Sequence, residues 1–191
     1  MLEKVRPRGA DPPNCEAVHL SSLLSHAASP LRGAISVPGD KSISHRALML
    51  GGLAVGETTI TGLLEGEDVL NTAAAMRALG AIVTRDDNGV WHVSGVGIGG
   101  LREPDAVIDL GNSGTAARLL MGVLAGHPMT TFMTGDASLR SRPVNRVADP
   151  LREFGATFVC REGGRMPLAI VGARDPMPIT YRLPVASAQV K

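Results

Sequence analysis

The sequence VPGDKSISHR, residues 37–46, decides the fold of this chain. Ile35 and Val37 alternate with polar neighbours and predict a half-buried strand. The Pro38-Gly39 pair ends that strand, and residues 46–50 (RALML) continue as a helix. The local pattern is therefore a strand, a tight turn and a helix within a few residues.

The start of this helix is a candidate anion site. Its N-cap is Asp40, Ser42 or Ser44, and a first helical turn presents free backbone N–H groups at the positive end of the helix dipole. Lys41 and Arg46 are separated by roughly 140° around a helix, so they bracket an anion only if Lys41 belongs to the turn. A capped helix with two solvated cations explains this one segment at least as well.

The same pattern recurs further along the chain. Residues 108–115 (IDLGNSGT) form another strand and glycine-containing turn before the helical residues 116–121, and Arg118 follows Arg46 by 72 residues. Three further pairs match in order: residues 59–62 with 132–135, 76–81 with 151–156, and 93–97 with 169–173. We interpret this as two copies of one unit of about 70–75 residues, over residues 31–104 and 105–176.

Each copy predicts the order βαβαββ. In the first copy, the second helix covers about residues 67–79 and ends at Gly80, and Asn88-Gly89 indicates the turn of a hairpin. In the second copy, residues 157–160 and 168–171 form the corresponding hairpin strands. The fold class is therefore α/β, with repeated βαβαββ units and mixed sheets.

A third copy begins near the end of the sequence. Residues 179–185 resemble the opening strands, and residues 186–189 occupy the position of Lys41-Ser42 and Ser113-Gly114. The stub covers residues 177–191, and we expect a truncated product, a split protein or a fragment. Residues 1–30 are predicted to be a partly disordered leader.

Composition excludes several functions. With 44% apolar residues the chain can bury a core, whereas a net charge of +1 and 3% aromatic residues give no case for nucleic acid. No stretch approaches 18 apolar residues, so we expect no membrane span. The two cysteines suggest no disulfide framework, the scattered histidines suggest no metal site, and we interpret the lone His45 as structural.

The motifs, in their order, resemble the 5-enolpyruvylshikimate-3-phosphate synthase family over about residues 31–191. They are residues 38–46, residues 110–116, Gly135-Asp136 with Arg142-Pro143, and residues 187–189. The resemblance implies an enolpyruvyl transferase fold, with two domains of three βαβαββ units around a pseudo-threefold axis. This chain would then hold an incomplete N-terminal domain, and the C-terminal domain would be supplied in cis or in trans.

A related family transfers enolpyruvyl groups to a UDP-sugar and shares this fold. Its opening motif has Lys-Asn, and a later loop has a reactive cysteine. Here Lys41-Ser42 and the cysteine-free residues 140–146 disfavour that family.

The resemblance implies transfer of the enolpyruvyl group of phosphoenolpyruvate to the 5-hydroxyl of shikimate 3-phosphate, with release of phosphate. It implies no cofactor and no metal, and a monomeric, cytoplasmic parent enzyme. Lys41 would be catalytic and contact both substrates. The residues implied for shikimate 3-phosphate are Lys41, Ser42, Arg46, Ser187, Ala188 and Gln189. Those implied for phosphoenolpyruvate are Lys41, Asn112, Gly114, Arg142 and Gln189.

The resemblance places further ligands and an acidic proton acceptor beyond residue 191, so we expect residues 1–191 alone to lack useful catalysis. Two alternatives are a non-catalytic sugar-phosphate-binding module and one half of a split enzyme. Glyphosate sensitivity gives a mixed pattern. Gly114 resembles sensitive relatives, whereas Leu119 and residues 187–189 resemble tolerant ones.

Overall fold

The computed structural model describes residues 30, 32–184 and 190. The chain divides into two compact units, residues 1–36 and residues 37–191. The described residues of the first unit, 30 and 32–36, are exposed and have no regular secondary structure. All described helices and strands lie in the second unit: α1 (Lys41–Leu53), β1 (Val55–Ile60), α2 (Glu67–Ala78), β2 (Ile82–Arg85), β3 (Trp91–Val96), β4 (Ile108–Asp109), α3 (Gly114–Ala125), β5 (Thr130–Thr134), α4 (Ala137–Ser141), α5 (Asn145–Glu153), β6 (Thr157–Arg161) and β7 (Arg165–Val171).

The strands form two sheets, one from each predicted copy. The first sheet has the order β1-β3-β2 and is antiparallel throughout. The second has the order β4-β5-β7-β6, in which β4 and β5 are parallel and the other pairs are antiparallel. The predicted α/β class is confirmed. The sequence predicts mixed sheets for both copies, but only the second of the described sheets is mixed, because the opening strand predicted for the first copy does not form.

Both predicted hairpins form, and each has its turn at the predicted glycine-containing residues. β2 and β3 flank the Asn88-Gly89 turn, and the Asp86 carboxylate accepts hydrogen bonds from the backbone N–H groups of Asn88 (2.9 Å) and Val90 (2.8 Å). β6 and β7 pair around the Gly163-Gly164 turn. A short aspartate side chain that binds the backbone two residues on stabilises the first of these turns.

The helices pack against the sheets and against one another around one core. α1 contacts α2 and β3, while α3 contacts α1, α2, α5 and β7. The largest fully buried side chains are Leu48, Met76, Leu79, Leu110, Leu120, Met121, Leu124, Met133, Leu139, Met166, Ile170 and His45. No helix in the described part of the chain is long and apolar enough to cross a bilayer.

Two predicted strands are wrong. Residues 34–40 have no regular secondary structure, and the Ile35 and Val37 side chains are 89% and 76% exposed. Residues 179–184 likewise form no strand, and residue 185 lies outside the described residues. A strand needs a neighbour to bind its backbone N–H and C=O groups, and no described strand pairs with either segment. Alternating apolar residues alone do not provide that neighbour.

The glycine of the Pro38-Gly39 turn is required by a close approach between two backbone segments. A Cβ at Gly39 would collide with the carbonyl oxygen of Gly62 and lie 3.0 Å from the Leu64 nitrogen. By contrast, Gly122 in α3 has open space around its Cβ position.

We therefore expect opposite effects from two alanine substitutions. Gly39→Ala should lower the free energy of unfolding by about 1–3 kcal/mol, because backbone atoms must move apart. Gly122→Ala should raise it by roughly 0.5–1 kcal/mol, because alanine has the higher helix propensity. Urea unfolding of both variants measures the difference, and equal effects at the two positions would contradict the turn geometry.

Candidate active site

The first turn of α1 is fixed by Asp40. Its carboxylate accepts a hydrogen bond from the Ile43 N–H (2.8 Å), so Asp40 is the N-cap among the three residues the sequence left open. Ser44 donates to the Asp40 carbonyl (2.8 Å) and accepts from the Leu64 N–H (3.0 Å). These bonds attach the start of the helix to the loop after β1 and place Lys41 in the first turn.

The first turn of α3 is fixed in a similar way. The Ser113 hydroxyl accepts from the Ala116 N–H (3.2 Å), and the Asp136 carboxylate caps α4 through the Leu139 N–H (2.6 Å). The Asp136 N–H also donates to the Gly111 carbonyl (2.9 Å). Helix α4 is thereby held beside the turn that precedes α3.

A cavity of about 400 Å³ lies between these helix starts. It is lined by Lys41, Asp68, Asn112, Gly114, Thr115, Arg118 and Arg142. The structure therefore brings together four residues predicted for the site, from both copies of the repeat. Among the described residues there is no group of three His, Cys, Asp or Glu side chains that could hold a metal ion.

Arg142 is held in place by neutral acceptors. Its Nη2 donates to Asn112 Oδ1 (2.7 Å) and to Ser138 Oγ (2.8 Å). Within the described residues the guanidinium lies beside no carboxylate at ion-pair distance. The side chain is thus oriented while its positive charge is not neutralised, as an anion-binding arginine requires.

Arg118 is a second cation of the cavity that sequence reasoning did not assign to the site. Its Nη1 donates to the Gly114 carbonyl (2.9 Å), and no described carboxylate pairs with it. Burial, together with the positive charges of Arg146 and Arg142, lowers the pKa of Arg118 from its usual value. The available signal was its match to Arg46 in the repeat.

Lys41 faces the cavity with a partner. Its Nζ donates to Asp68 Oδ2 at 3.0 Å, and the two side chains are 51% and 26% exposed. Asp68 lies in the first turn of α2, where a carboxylate is favoured by the helix dipole. Sequence reasoning missed Asp68, because nothing in the spacing connects it to a lysine 27 residues earlier.

Gly114 leaves room between the two arginines. A Cβ at this position would lie 2.8 Å from Arg118 Nη1 and 3.2 Å from Arg142 Nη1. Any side chain here would therefore displace both guanidinium groups.

The other predicted site residues do not line this cavity. Ser42 is exposed, and Arg46 is half-buried with its Nη1 donating to the Ser42 carbonyl (3.1 Å). Ser187, Ala188 and Gln189 lie outside the described residues.

His45 lies behind the cavity, between α1 and α2. It is fully buried, its Nδ1 is 2.7 Å from Thr72 Oγ1, and its Nε2 has no hydrogen-bond partner among the described residues. Burial is the main cause that lowers the pKa of His45 from its usual value; Lys41 and Arg46 add to this, and Asp68 opposes it. This position agrees with a structural role.

Comparisons with known proteins point to one family. The sequence model of EPSP synthase (3-phosphoshikimate 1-carboxyvinyltransferase) matches residues 26–191. Two similar proteins carry the name 3-phosphoshikimate 1-carboxyvinyltransferase. The one from Acidiphilium cryptum is 70% identical over 92% of this chain. The one from Paramagnetospirillum magneticum is 68% identical over 88% of it. The chain spans 39% and 38% of their lengths.

The fold agrees with a solved structure of the same kind. The 2.37 Å structure of EPSP synthase from Acinetobacter baumannii matches with a TM-score of 0.79 and 48% identity. The match covers 83% of this chain and 36% of that one.

The buried His45 should make stability depend on pH. Its pKa is lower in the folded state than the usual value of about 6.5, so below that pH the unfolded chain binds more protons. The free energy of unfolding should therefore fall as the pH drops from about 7.5 towards 5. In urea titrations at each pH, the free energy of unfolding of His45→Gln should fall less with decreasing pH than that of the unsubstituted chain. Parallel pH profiles of this free energy in the two proteins would contradict the linkage.

Proposed function

This chain belongs to the EPSP synthase family, and we propose that it forms part of an enzyme that transfers the enolpyruvyl group of phosphoenolpyruvate to shikimate 3-phosphate. The acceptor is the 5-hydroxyl, and inorganic phosphate is released. The observation that carries the proposal is the cavity at which Lys41, Arg118 and Arg142 meet. The two substrates together carry two phosphates and two carboxylates, so their site must supply several cations.

The second copy of the repeat fits phosphoenolpyruvate. Arg142 is oriented by Asn112 and keeps its charge, so its free N–H groups can bind a phosphate or carboxylate in bidentate fashion. Gly114 has no side chain and lets the ligand reach the space between the guanidinium groups. Lys41 and Gln189 complete this proposed set.

The first copy fits shikimate 3-phosphate. Lys41 and Ser42 lie in the exposed first turn of α1, and Arg46 follows one turn later. Ser187, Ala188 and Gln189 are the remaining proposed contacts. Lys41 precedes Ser42 in this turn and also lines the cavity with Asn112 and Arg142, which suits a residue that contacts both substrates.

The chemistry depends on charge placement. The substrate hydroxyl attacks C2 of phosphoenolpyruvate and gives its proton to a base, while C3 gains a proton from an acid. Phosphate then leaves C2 and C3 loses a proton, which restores the C2–C3 double bond and gives the enol ether product. Fixed cations stabilise the negative charge that moves to the departing phosphate, and because they are already oriented they need no reorganisation during the reaction. We assign Lys41 as the catalytic group, since it lines the cavity with the proposed phosphoenolpyruvate contacts and adjoins Ser42 of the proposed shikimate 3-phosphate set.

The remaining parts of the proposal concern the whole protein. We propose that residues 31–104 and 105–176 are two of three units of one domain and that the third begins at 177–191. The parent enzyme is proposed to be monomeric and cytoplasmic.

A chimera tests the activity. Residues 1–191 replace the matching segment of the Acidiphilium cryptum relative, and phosphate release is measured with both substrates present. We expect turnover comparable to that of the unmodified relative. Substrate binding without turnover would favour a binding module instead and would contradict the proposal.

Two substitutions in the chimera test the assigned residues. Lys41→Met and Arg142→Gln should each lower kcat/KM by on the order of 100-fold, because each removes a cation that stabilises developing charge. Arg174→Gln is the matched control, since Arg174 is exposed and outside the cavity. A fall in kcat/KM no larger than that of the control would contradict the assignment of that residue to the site.

Gly114→Ala tests the space between the guanidinium groups. The added methyl group meets Arg118 and Arg142, so KM for phosphoenolpyruvate should rise by about tenfold, the effect of roughly 1.4 kcal/mol of lost binding. Glyphosate is bulkier, so its inhibition constant should rise more. Gly122→Ala, on the open side of the same helix, should change neither, and unchanged values for Gly114→Ala would refute the crowding argument.

A further inference from the structure

A second cationic cavity lies outside the proposed active site. It has a volume of about 500 Å³ and lies between α4 and the β6–β7 hairpin. It is lined by Ala137, Arg140, Ser141, Arg161 and Arg165, none of which lines the first cavity. Three arginines from separate elements therefore meet at one depression.

The three guanidinium groups are held by backbone carbonyls rather than by carboxylates. Arg140 Nε donates to the Asp136 carbonyl (3.3 Å), and Arg161 Nη1 donates to the Met166 carbonyl (3.3 Å). Arg165 Nε donates to the Ser141 carbonyl (3.1 Å). Each group has five N–H donors, so most remain available. In the described part of the chain, no carboxylate lies within ion-pair distance of any of the three.

The hairpin is attached to the segment that carries this cavity. The Val144 N–H donates to the Gly164 carbonyl (2.8 Å), and Arg161 and Arg165 face each other in the β6–β7 ladder. The arginines are therefore brought together by backbone pairing that needs no ligand. The three side chains are exposed, but each is restrained by its hydrogen bond to a carbonyl, and a restrained donor loses less entropy on binding than a free one.

Helix α4 separates the two cavities. Ala137 and Ser141 are four residues apart and share one face of α4, whereas Ser138 lies about 100° further around the helix. Ser138 holds Arg142 at the first cavity, and Ala137 and Ser141 line the second. The second cavity is therefore a separate site on the same short helix.

We propose that this second cavity binds a small phosphate-bearing anion. Arginine forks match the oxygens of a phosphate, and a volume of about 500 Å³ lies within the usual range for small-molecule sites. Three cations without a carboxylate favour a doubly charged phosphate over a monovalent anion. The inference does not depend on the proposed function, because the two cavities share no residue.

The test counts phosphate sites on the purified chain by isothermal titration at constant salt. Inorganic phosphate should bind at two sites. The pair Arg161→Gln and Arg165→Gln should remove one site, and Arg142→Gln should remove the other. Arg174→Gln, an exposed arginine away from both cavities, should retain both, and thermal melts confirm that each variant is folded.

A double lysine variant distinguishes a specific phosphate site from non-specific electrostatic attraction of the anion. Arg161→Lys with Arg165→Lys keeps the charge but loses the fork, so phosphate affinity at the second site should fall by at least about fivefold. Unchanged affinity in this pair, or an unchanged site count in the glutamine pair, would overturn the inference. A single phosphate site that the glutamine pair removes and Arg142→Gln leaves intact would contradict the proposed function and would support the second site.

Discussion

The burial of helix α3 is the interaction on which both the core and the site depend. Its buried face contacts α1, α2, α5 and β7, and it consists of Gly114, Ala116, Ala117, Leu120, Met121, Leu124 and Ala125. Removing apolar surface from water stabilises this arrangement by about 25 cal/mol per Å². Gly114 starts the helix and Arg118 lies one turn later. The packing of α3 therefore also fixes the positions of these two cavity-lining residues. It also offsets the cost of holding Arg118 partly buried near Arg142 and Arg146.

The two copies of the repeat share the same hydrogen bond at the start of a helix but carry different side chains there. In both, an arginine donates back to the carbonyl four residues earlier: Arg46 to Ser42 and Arg118 to Gly114. At the matching first-turn positions, the first copy has Lys41-Ser42, a cation and a hydroxyl that protrude. The second copy has Ser113-Gly114, which caps the helix and then leaves space. One helix start therefore presents a cation and a hydroxyl to solvent, and the other has no side chain at its first residue.

The sequence predicts those features that local chemistry determines. The end of α2 at Gly80 and the hairpin turn at Asn88-Gly89 depend on residues within a few positions of each other. The sequence narrows the N-cap of α1 to three nearby residues, and the structure selects Asp40. The strands predicted at residues 35–37 and 179–185 depend on distant partners, and alternation of residues cannot supply a partner. The same reason explains the missed Asp68, since its pairing with Lys41 arises only when α2 packs beside α1. Arg118 differs, because the repeat itself indicated it.

The cavity contains cations of two kinds, and this difference sets how it receives an anion. Lys41 is neutralised by Asp68, but both side chains are partly exposed, and such pairs contribute only about 0–1 kcal/mol. A phosphate can therefore replace the carboxylate at little cost, and Asp68 keeps the ammonium near the cavity until it does. Arg142 is oriented by the neutral oxygens of Asn112 and Ser138, so it attracts an anion with its full charge. In the proposed reaction, an incoming anion would therefore gain most at the arginine side, and Lys41 would be the group that exchanges partners.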